Sequence, residues 1–382
     1  MNDACRRILE AKYKLGLFDD PYRYCDPARA TAEVLSAEKR QAAREFGVHS
    51  MVLLKNNNQT LPLKKSGTIA LIGPLANDKS NMLGTWAVSG NAELSVPVLD
   101  GMKNVGGNGV KILYAKGANI TDDTALAKKI DVFGPKAFID PTPSDQLLSE
   151  AVETANRADV VVAVVGEAAE MSGESASRSD ISLPASQQRL IQALAATGKP
   201  VVVVLMSGRP LVLNTESQVA TSLLQVWFQG HEAGNAIADV LFGNYNPSGK
   251  LTMTFPQNVG QIPIYYNHRS TGRPQPNGPW QKFRSNYLDV SNDPLYPFGY
   301  GLSYTQFTYG AVQLDKTTMR PTDKLQVKLR VSNTGKYDGE EVVQLYLRDV
   351  AASVAQPVMI HPQRQELIVN PEHPNYAVLK MK

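Results

Sequence analysis

At 382 residues the chain exceeds the length of one ordinary domain and calls for two or three. Its 43% apolar and 20% charged residues are those of a folded globular protein, and 39 basic against 36 acidic residues, with no dense Lys/Arg block, argue against a nucleic-acid partner. No apolar run reaches the length of a membrane span, the first residues lack the apolar core of an export signal, and Cys5 and Cys25 are read as two free, partly buried thiols, too few for a disulfide framework.

Residues 1–33 hold one amphipathic helix, with Ile8, Leu9, Tyr13 and Leu15 near helical spacing and Gly16 and Pro21 as stop signals. A second helical stretch is predicted from Ser36, as N-cap, through Phe46 to Leu54. From about Thr68 to Pro256 strands and helices alternate. Strands are predicted at 69–72, 110–114, 160–165, 201–205 and 223–227. Helices are predicted at 145–157 with Ser144 as N-cap, at 185–197 with Gly198 and Pro200 as stops, and at 232–242. Several strands are continuous apolar runs, as parallel strands covered on both faces should be. This is the rhythm of an α/β fold, a three-layer α/β sandwich with a mostly parallel sheet, over residues 34–260.

Residues 261–308, crowded with prolines, read as a long ordered connector. Beyond Thr308 the period changes to two. Leu325, Val327, Leu329 and Val331 alternate with polar residues, Asn333-Thr-Gly335 supplies a turn, and Val343, Leu345 and Leu347 alternate again. A small β-sandwich is expected over 309–382, with too little chain for seven full strands and at most one or two strands from Met359 onward.

The apolar run Val160–Val165 empties into a loop that carries Glu167, Glu170, Glu174, Arg178 and Asp180. In open α/β sheets ligands bind beyond the carboxyl ends of the strands, so chemistry is expected in this loop. Glu174 lies between Gly173 and Ser175, small neighbours that let a carboxyl approach a substrate closely, which suits a general acid. Glu170 is the runner-up, and Glu167, next to the strand, is expected to bond loop backbone. A solvated loop carboxylate is the plain alternative for Glu174. His231, at a strand-to-helix turn, reads as a capping or structural residue, Trp227 as packing, and the polar stretch 267–274 as cleft lining or a solvated loop. Gly106, Gly107 and Gly109 precede a strand instead of opening a helix, which speaks against a phosphate cradle and a nucleotide-binding protein. No His, Cys and carboxylate grouping has metal-ligand spacing, and no cofactor is called for.

Four motifs, residues 45–62, Ser172-Gly-Glu174, Gly243-Asn-Tyr-Asn-Pro-Ser-Gly-Lys-Leu251 and Tyr296-Pro-Phe-Gly-Tyr-Gly-Leu-Ser-Tyr304, together resemble glycoside hydrolase family three. The likeness is strongest to its bacterial periplasmic β-glucosidases and runs from residue 1 to about 358. It implies retaining hydrolysis of terminal β-D-glucosyl residues in β-glucosides or β-linked gluco-oligosaccharides, with a periplasmic location. In that family a (β/α)8 barrel supplies the nucleophilic aspartate, a following α/β sandwich supplies the acid/base glutamate, and a fibronectin type III-like domain closes the chain. On this likeness Glu174 is the acid/base, and Trp86 matches a tryptophan that stacks on the sugar beyond the cleaved bond; the plain alternative for Trp86 is a core residue.

The sequence departs from the family twice. Residues 1–33 resemble only the last barrel helix and its linker, so no residue can be assigned as nucleophile, and the chain is expected to be a truncated, acid/base half that is inactive alone. The rival reading is a non-catalytic fragment with at most weak sugar binding. After Val358 the sequence leaves the family pattern, and the fibronectin type III-like sandwich is expected to be incomplete. Self-association through the surface that would face the barrel is also expected.

Overall fold

The computed structural model describes residues 1–131, 136–269, 272–275, 279–318, 320 and 324–347, together with the backbone strands 359–360, 365–369 and 375–381. The described chain divides into two units, Met1–Ala42 and Ala43–Lys382.

The first unit holds α1 (Asn2–Lys14), α2 (Pro27–Glu33) and the first turns of α3 (Ala37–Ser50). Exposed ion pairs at helical spacing line α1, from Asp3 to Arg6 and Arg7 and from Glu10 to Arg6 and Lys14. Asp26 caps α2 by accepting from the Ala28 amide at 2.9 Å, with Pro27 at the first helical position. No residue of α1 is buried, and its apolar positions Ile8, Leu9 and Tyr13 are exposed. Cys5 and Cys25 are likewise exposed, not partly buried as expected.

In the second unit α3 ends at Ser50, and the segment predicted to extend it to Leu54 is instead strand β1 (Val52–Asn56). There follow β2 (Gly67–Ile72), α4 (Val98–Gly106), β3 (Val110–Ala115), α5 (Thr124–Lys129), α6 (Ser144–Asn156), β4 (Val160–Gly166), α7 (Ala185–Ala196), β5 (Val201–Met206), α8 (Asn214–Val219), β6 (Ser222–Gln225) and α9 (Ala233–Leu241). The six strands form one sheet in the order β1-β6-β5-β4-β2-β3, parallel except for the edge strand β1.

Alternation along each strand divides the core in two. Ile69, Leu71, Val162, Val164, Val202 and Val204 pack with Met102 of α4 and Ile237 of α9. Ala70, Ile72, Val161, Ala163, Val203 and Leu205 pack with Ala151 of α6 and Leu190 of α7. Both faces of the sheet are therefore covered, giving the predicted three layers, and this is why β4 and β5 read as unbroken apolar runs. Ser144 is the first residue of α6, and its hydroxyl donates to Asp122 at 3.1 Å instead of capping its own helix.

Beyond Pro256 the chain is irregular but returns to the domain. Phe255 bridges Tyr296, and the Leu302 amide donates to the Leu53 carbonyl at 2.8 Å, beside β1. Tyr296 lies in the α6/α7 side of the core, and the Tyr304 hydroxyl donates to Val240 O at 2.7 Å. The aromatic motif 296–304 thus closes the α/β layers.

The remaining strands are short and antiparallel: β7 (Phe307–Tyr309), β8 (Gln313–Leu314), β9 (Leu325–Asn333), β10 (Gly339–Val343), β11 (Tyr346–Leu347), β12 (Met359–Ile360), β13 (Gln365–Val369) and β14 (Asn375–Met381). β9 pairs with β14, β7 and β8, while β10 pairs with β13 and β11 with β12. The chain after Met359 therefore adds three strands, more than the one or two expected. Glu340 and Glu341 tie this β region to the α/β layers, the first accepting from Tyr245 at 2.8 Å and the second facing Lys250 at 3.1 Å.

Candidate active site

The carboxyl end of β4 is built to hold a loop in place. Gly166, with φ of +146°, ends the strand where a Cβ would lie 1.7 Å from the Met206 carbonyl oxygen, so only glycine lets β4 and β5 approach there. The buried Gln187 side chain pairs with both backbone groups of Gly166, accepting its N–H at 2.7 Å and donating to its carbonyl at 2.8 Å, and donates also to Ile120 O at 2.7 Å. Asn81, from the loop after β2, accepts the Ala169 N–H at 2.7 Å.

Glu167 follows directly and is fully buried. It does not bond loop backbone as expected. Its Oε1 accepts from Arg178 Nη1 at 2.8 Å and lies 3.2 Å from Arg209 Nε. Burial of a carboxylate is tolerated only with such partners, since the desolvation cost must be met by charge and hydrogen bonds. The arginines carry the restraint outward. Arg178 Nη2 donates to Ser182 O at 2.9 Å, and Arg209 Nη2 donates to Met171 O and, at 2.7 Å, to Ala176 O. At the loop's exit the Ser182 amide, 2.8 Å from Asp180 Oδ1, holds the Asp180 carboxyl below the usual carboxylate range, with help from the Ser182 hydroxyl and the charge of Arg178.

Between these fastenings the loop makes a 3-10 turn at Ala169–Met171 and then a tight reversal, with φ of +102° at Gly173 and +59° at Ser175. Glu174 sits on that reversal and is exposed, whereas Glu170 is half-buried in the turn. The two glutamates therefore present different chemistry: one carboxyl stands free to meet a partner surface, the other is part of the loop's body.

The loop after β2 lies alongside. The Thr85 hydroxyl is bonded to Ala169 O and, at 2.8 Å, to Ser172 O, and a Cβ on Gly173 would meet the Thr85 methyl at 2.6 Å. Trp86 is thereby placed next to the segment that carries Glu174, and its indole is 72% exposed, which removes the core reading. The Thr85 bonds thus join the segment that bears an exposed indole to the segment that bears an exposed carboxyl, an apolar face and a group able to donate or accept a proton.

The other candidates are held in structural contacts or end elements. The His231 ring lies 3.0 Å from the Asn91 carbonyl in a short 3-10 turn, a structural contact. Trp227 packs at 6.4 Å from the Phe255 ring, and its N–H donates to Ser50 O at 3.1 Å. Gly106 and Gly107 end α4 and lead into β3. Ser270 and Thr271 of the polar stretch 267–274 lie outside the described residues. Among the described residues no group of three His, Cys, Asp or Glu side chains is placed to hold a metal ion. Sequence reasoning missed Arg209 and Thr85. The signal available for Arg209 was its position just past the apolar run of β5, the strand next to β4.

The profile of the glycosyl hydrolase family 3 C-terminal domain matches residues 51–304. A periplasmic beta-glucosidase of Salmonella typhimurium is 52% identical over 362 residues, covering 94% of this chain and 47% of its own length. A beta-xylosidase of Formosa agariphila is 41% identical, covering 93% and 46%. The crystal structure of a beta-glucosidase from Listeria innocua in complex with isofagomine superposes with a TM-score of 0.87 at 36% identity, covering 98% of this chain and 49% of that one, and the same enzyme is also known with glucose. The chain thus spans about half the length of the relatives it matches. It belongs to glycosyl hydrolase family 3 and carries the family's C-terminal domain.

Proposed function

We propose that this chain carries the acid/base half of a retaining glycosidase site acting on terminal β-linked glucosyl residues, with Glu174 as the acid/base and Trp86 as the platform for the sugar beyond the cleaved bond. The observation that carries this reading is the exposure of Glu174 on a reversal whose backbone is fastened on both sides, with the Trp86 loop bonded to the same segment. In such a reaction a carboxylate about 5 Å away attacks the anomeric carbon while the acid protonates the departing oxygen. The same residue, now a carboxylate, takes a proton from the water that releases the glycosyl-enzyme. By the family resemblance the attacking carboxylate is an aspartate of a barrel domain, and no residue of this sequence is assigned that role. Closure of that domain over Glu174 would supply the dry surroundings and neighbouring negative charge that keep an acid protonated near neutral pH.

The preference for glucosyl over xylosyl groups follows the more similar relative, 52% against 41% identical. That relative's name also supports a periplasmic site of action. Among the described residues no helix is long and apolar enough to cross a membrane. The fibronectin type III-like character of the β region remains part of the same proposal, supported by the antiparallel pairing of β9 with β7 and β14.

The test is turnover of aryl β-glucosides and β-xylosides by this chain alone and with the barrel domain supplied. Alone, it should hydrolyse neither faster than a Glu174→Ala control. With the barrel it should turn over the glucoside preferentially, and the substitution should lower that rate. Robust turnover alone that Glu174→Ala abolishes would overturn the half-site reading, and assembled activity indifferent to Glu174→Ala would move the acid/base role to Glu170.

A further inference from the structure

We infer that Arg209 is a positioning residue that sets where the Glu174 carboxyl stands, an inference that rests on the acid/base reading of Glu174. Arg209 lies on the turn after β5, more than thirty positions in sequence from the loop residues it meets, yet its guanidinium touches that loop at three points. One nitrogen, Nη2, donates to the carbonyls of Met171 and Ala176, which lie three residues before and two residues after Glu174. A second, Nε, faces the fully buried Glu167 at 3.2 Å, at the root of the loop. The turn that bears Arg209 is itself pressed onto the loop, because a Cβ on Gly208 would lie 2.0 Å from the Ser172 hydroxyl oxygen.

The segment between the two bonded carbonyls needs such a clamp. Ser175 occupies the left-handed region at φ of +59°, a conformation that a non-glycine residue keeps only when its surroundings impose it. Gly173 also has positive φ, which glycine adopts freely, so the strained member of the pair that flanks Glu174 is Ser175. On the opposite side Thr85 bonds Ala169 O and Ser172 O. Arg209 bonds a carbonyl on each limb of the reversal and, beside the Glu167–Arg178 pair, links them to the sheet through the ends of β4 and β5. A planar guanidinium can hold a carboxylate and two carbonyls at once, whereas a lysine ammonium on a single flexible stem cannot keep that spacing. A proton donor displaced by about 1 Å loses much of its effect on the reaction, so the clamp acts on catalysis without touching substrate.

The experiment pairs this chain with the barrel domain and compares Arg209→Met, Arg209→Lys and Glu174→Gln on two substrates. One is dinitrophenyl β-glucoside, whose leaving group departs with little protonation, and the other is a β-linked glucose disaccharide, whose leaving group requires it. Both Arg209 variants should lose at least tenfold in kcat/KM on the disaccharide and less than threefold in kcat/KM on the dinitrophenyl substrate, because kcat/KM reports the bond-breaking step and not the later release that also uses Glu174, and Glu174→Gln should show the same split more strongly. Equal losses on both substrates, or none, in the Arg209 variants while Glu174→Gln keeps its split would overturn the inference alone. Absence of the split in Glu174→Gln would overturn the acid/base reading instead. A second readout uses the 382-residue chain by itself. Amide hydrogen exchange across 173–176 should rise at least tenfold in Arg209→Met with β4 and β5 unchanged. Unchanged exchange in the loop, or acceleration throughout the sheet, would also contradict the inference.

Discussion

Replacing Glu167 by glutamine removes the charge on which the candidate loop is anchored while keeping the side chain's shape. Glu167 is fully buried, and its partners Arg178 and Arg209 have side-chain exposures of 16% and 21%. Breaking a buried ion pair by removing one member costs about 3–5 kcal/mol, because the remaining charge is left without compensation. Water reaches both guanidinium groups to a small degree, which places the expected loss near the lower end, about 3 kcal/mol. The glutamine amide would in addition bring N–H donors to the side where Glu167 Oε2 finds no partner. For a domain of this size about 3 kcal/mol corresponds to a fall in Tm of roughly 6–12 °C. Urea unfolding of Glu167→Gln should show a lower midpoint with unchanged slope, the mark of lost stability without a changed unfolded state. Asp145→Asn, which removes the exposed pair to Arg189 at 2.6 Å, should leave the midpoint where it is and serves as the control. A Glu167→Gln midpoint as close to wild type as that control's would refute the reasoning that the loop hangs on a buried charge cluster.

Burial pushes the Glu216 carboxyl above the usual carboxylate range, so its contribution to stability is full below the unfolded-state value and is lost as pH rises through the raised folded value. Glu216→Gln should therefore be more stable than wild type at neutral pH, with the difference closing as pH falls; a difference independent of pH, followed by urea midpoints across the acid range, would contradict this. In the assembled enzyme Trp86→Ala should raise KM for disaccharides roughly fivefold, the loss of about 1 kcal/mol of aromatic contact, with kcat changed far less; an unchanged KM would remove Trp86 from the site. With Trp86, Val88 and Leu94 exposed on the segment between β2 and α4, the 382-residue chain alone should show a scattering mass that rises with concentration, and a constant monomer mass would count against self-association.

Much of the α/β domain was legible because its strands are covered on both faces. The runs that became β4 and β5 are apolar at every position, and α7 ends where Gly198 and Pro200 follow it. Periodicity failed where it is ambiguous. Met51–Leu54 is a short apolar run that fits a buried helix or a buried strand, and it forms β1, an antiparallel edge strand whose role depends on β6 far along the chain. The helix α4 went unread for a tertiary reason. Its Gly101, a poor helix former by local preference, is required because a Cβ there would lie 2.0 Å from the backbone of Gly234 in α9. β6 stops at Gln225, short of Trp227, whose φ of +55° breaks the strand. The site was legible in one segment only. Glu174 could be singled out from its place beyond β4, but Thr85 and Arg209 reach it from other loops, and only the sheet order β5-β4-β2 brings those loops together.

The central claim is that Glu174 is the group that must be protonated when the glycosidic bond breaks. Its most direct test is the pH dependence of kcat/KM for a β-linked glucose disaccharide, whose leaving group requires protonation, in the enzyme assembled from this chain and the barrel domain. Wild type should give a bell, with an acidic limb from the attacking carboxylate and a basic limb from the acid. In Glu174→Gln the acidic limb should remain and the basic limb should vanish. A basic limb that persists unchanged in Glu174→Gln would show that another group carries the proton.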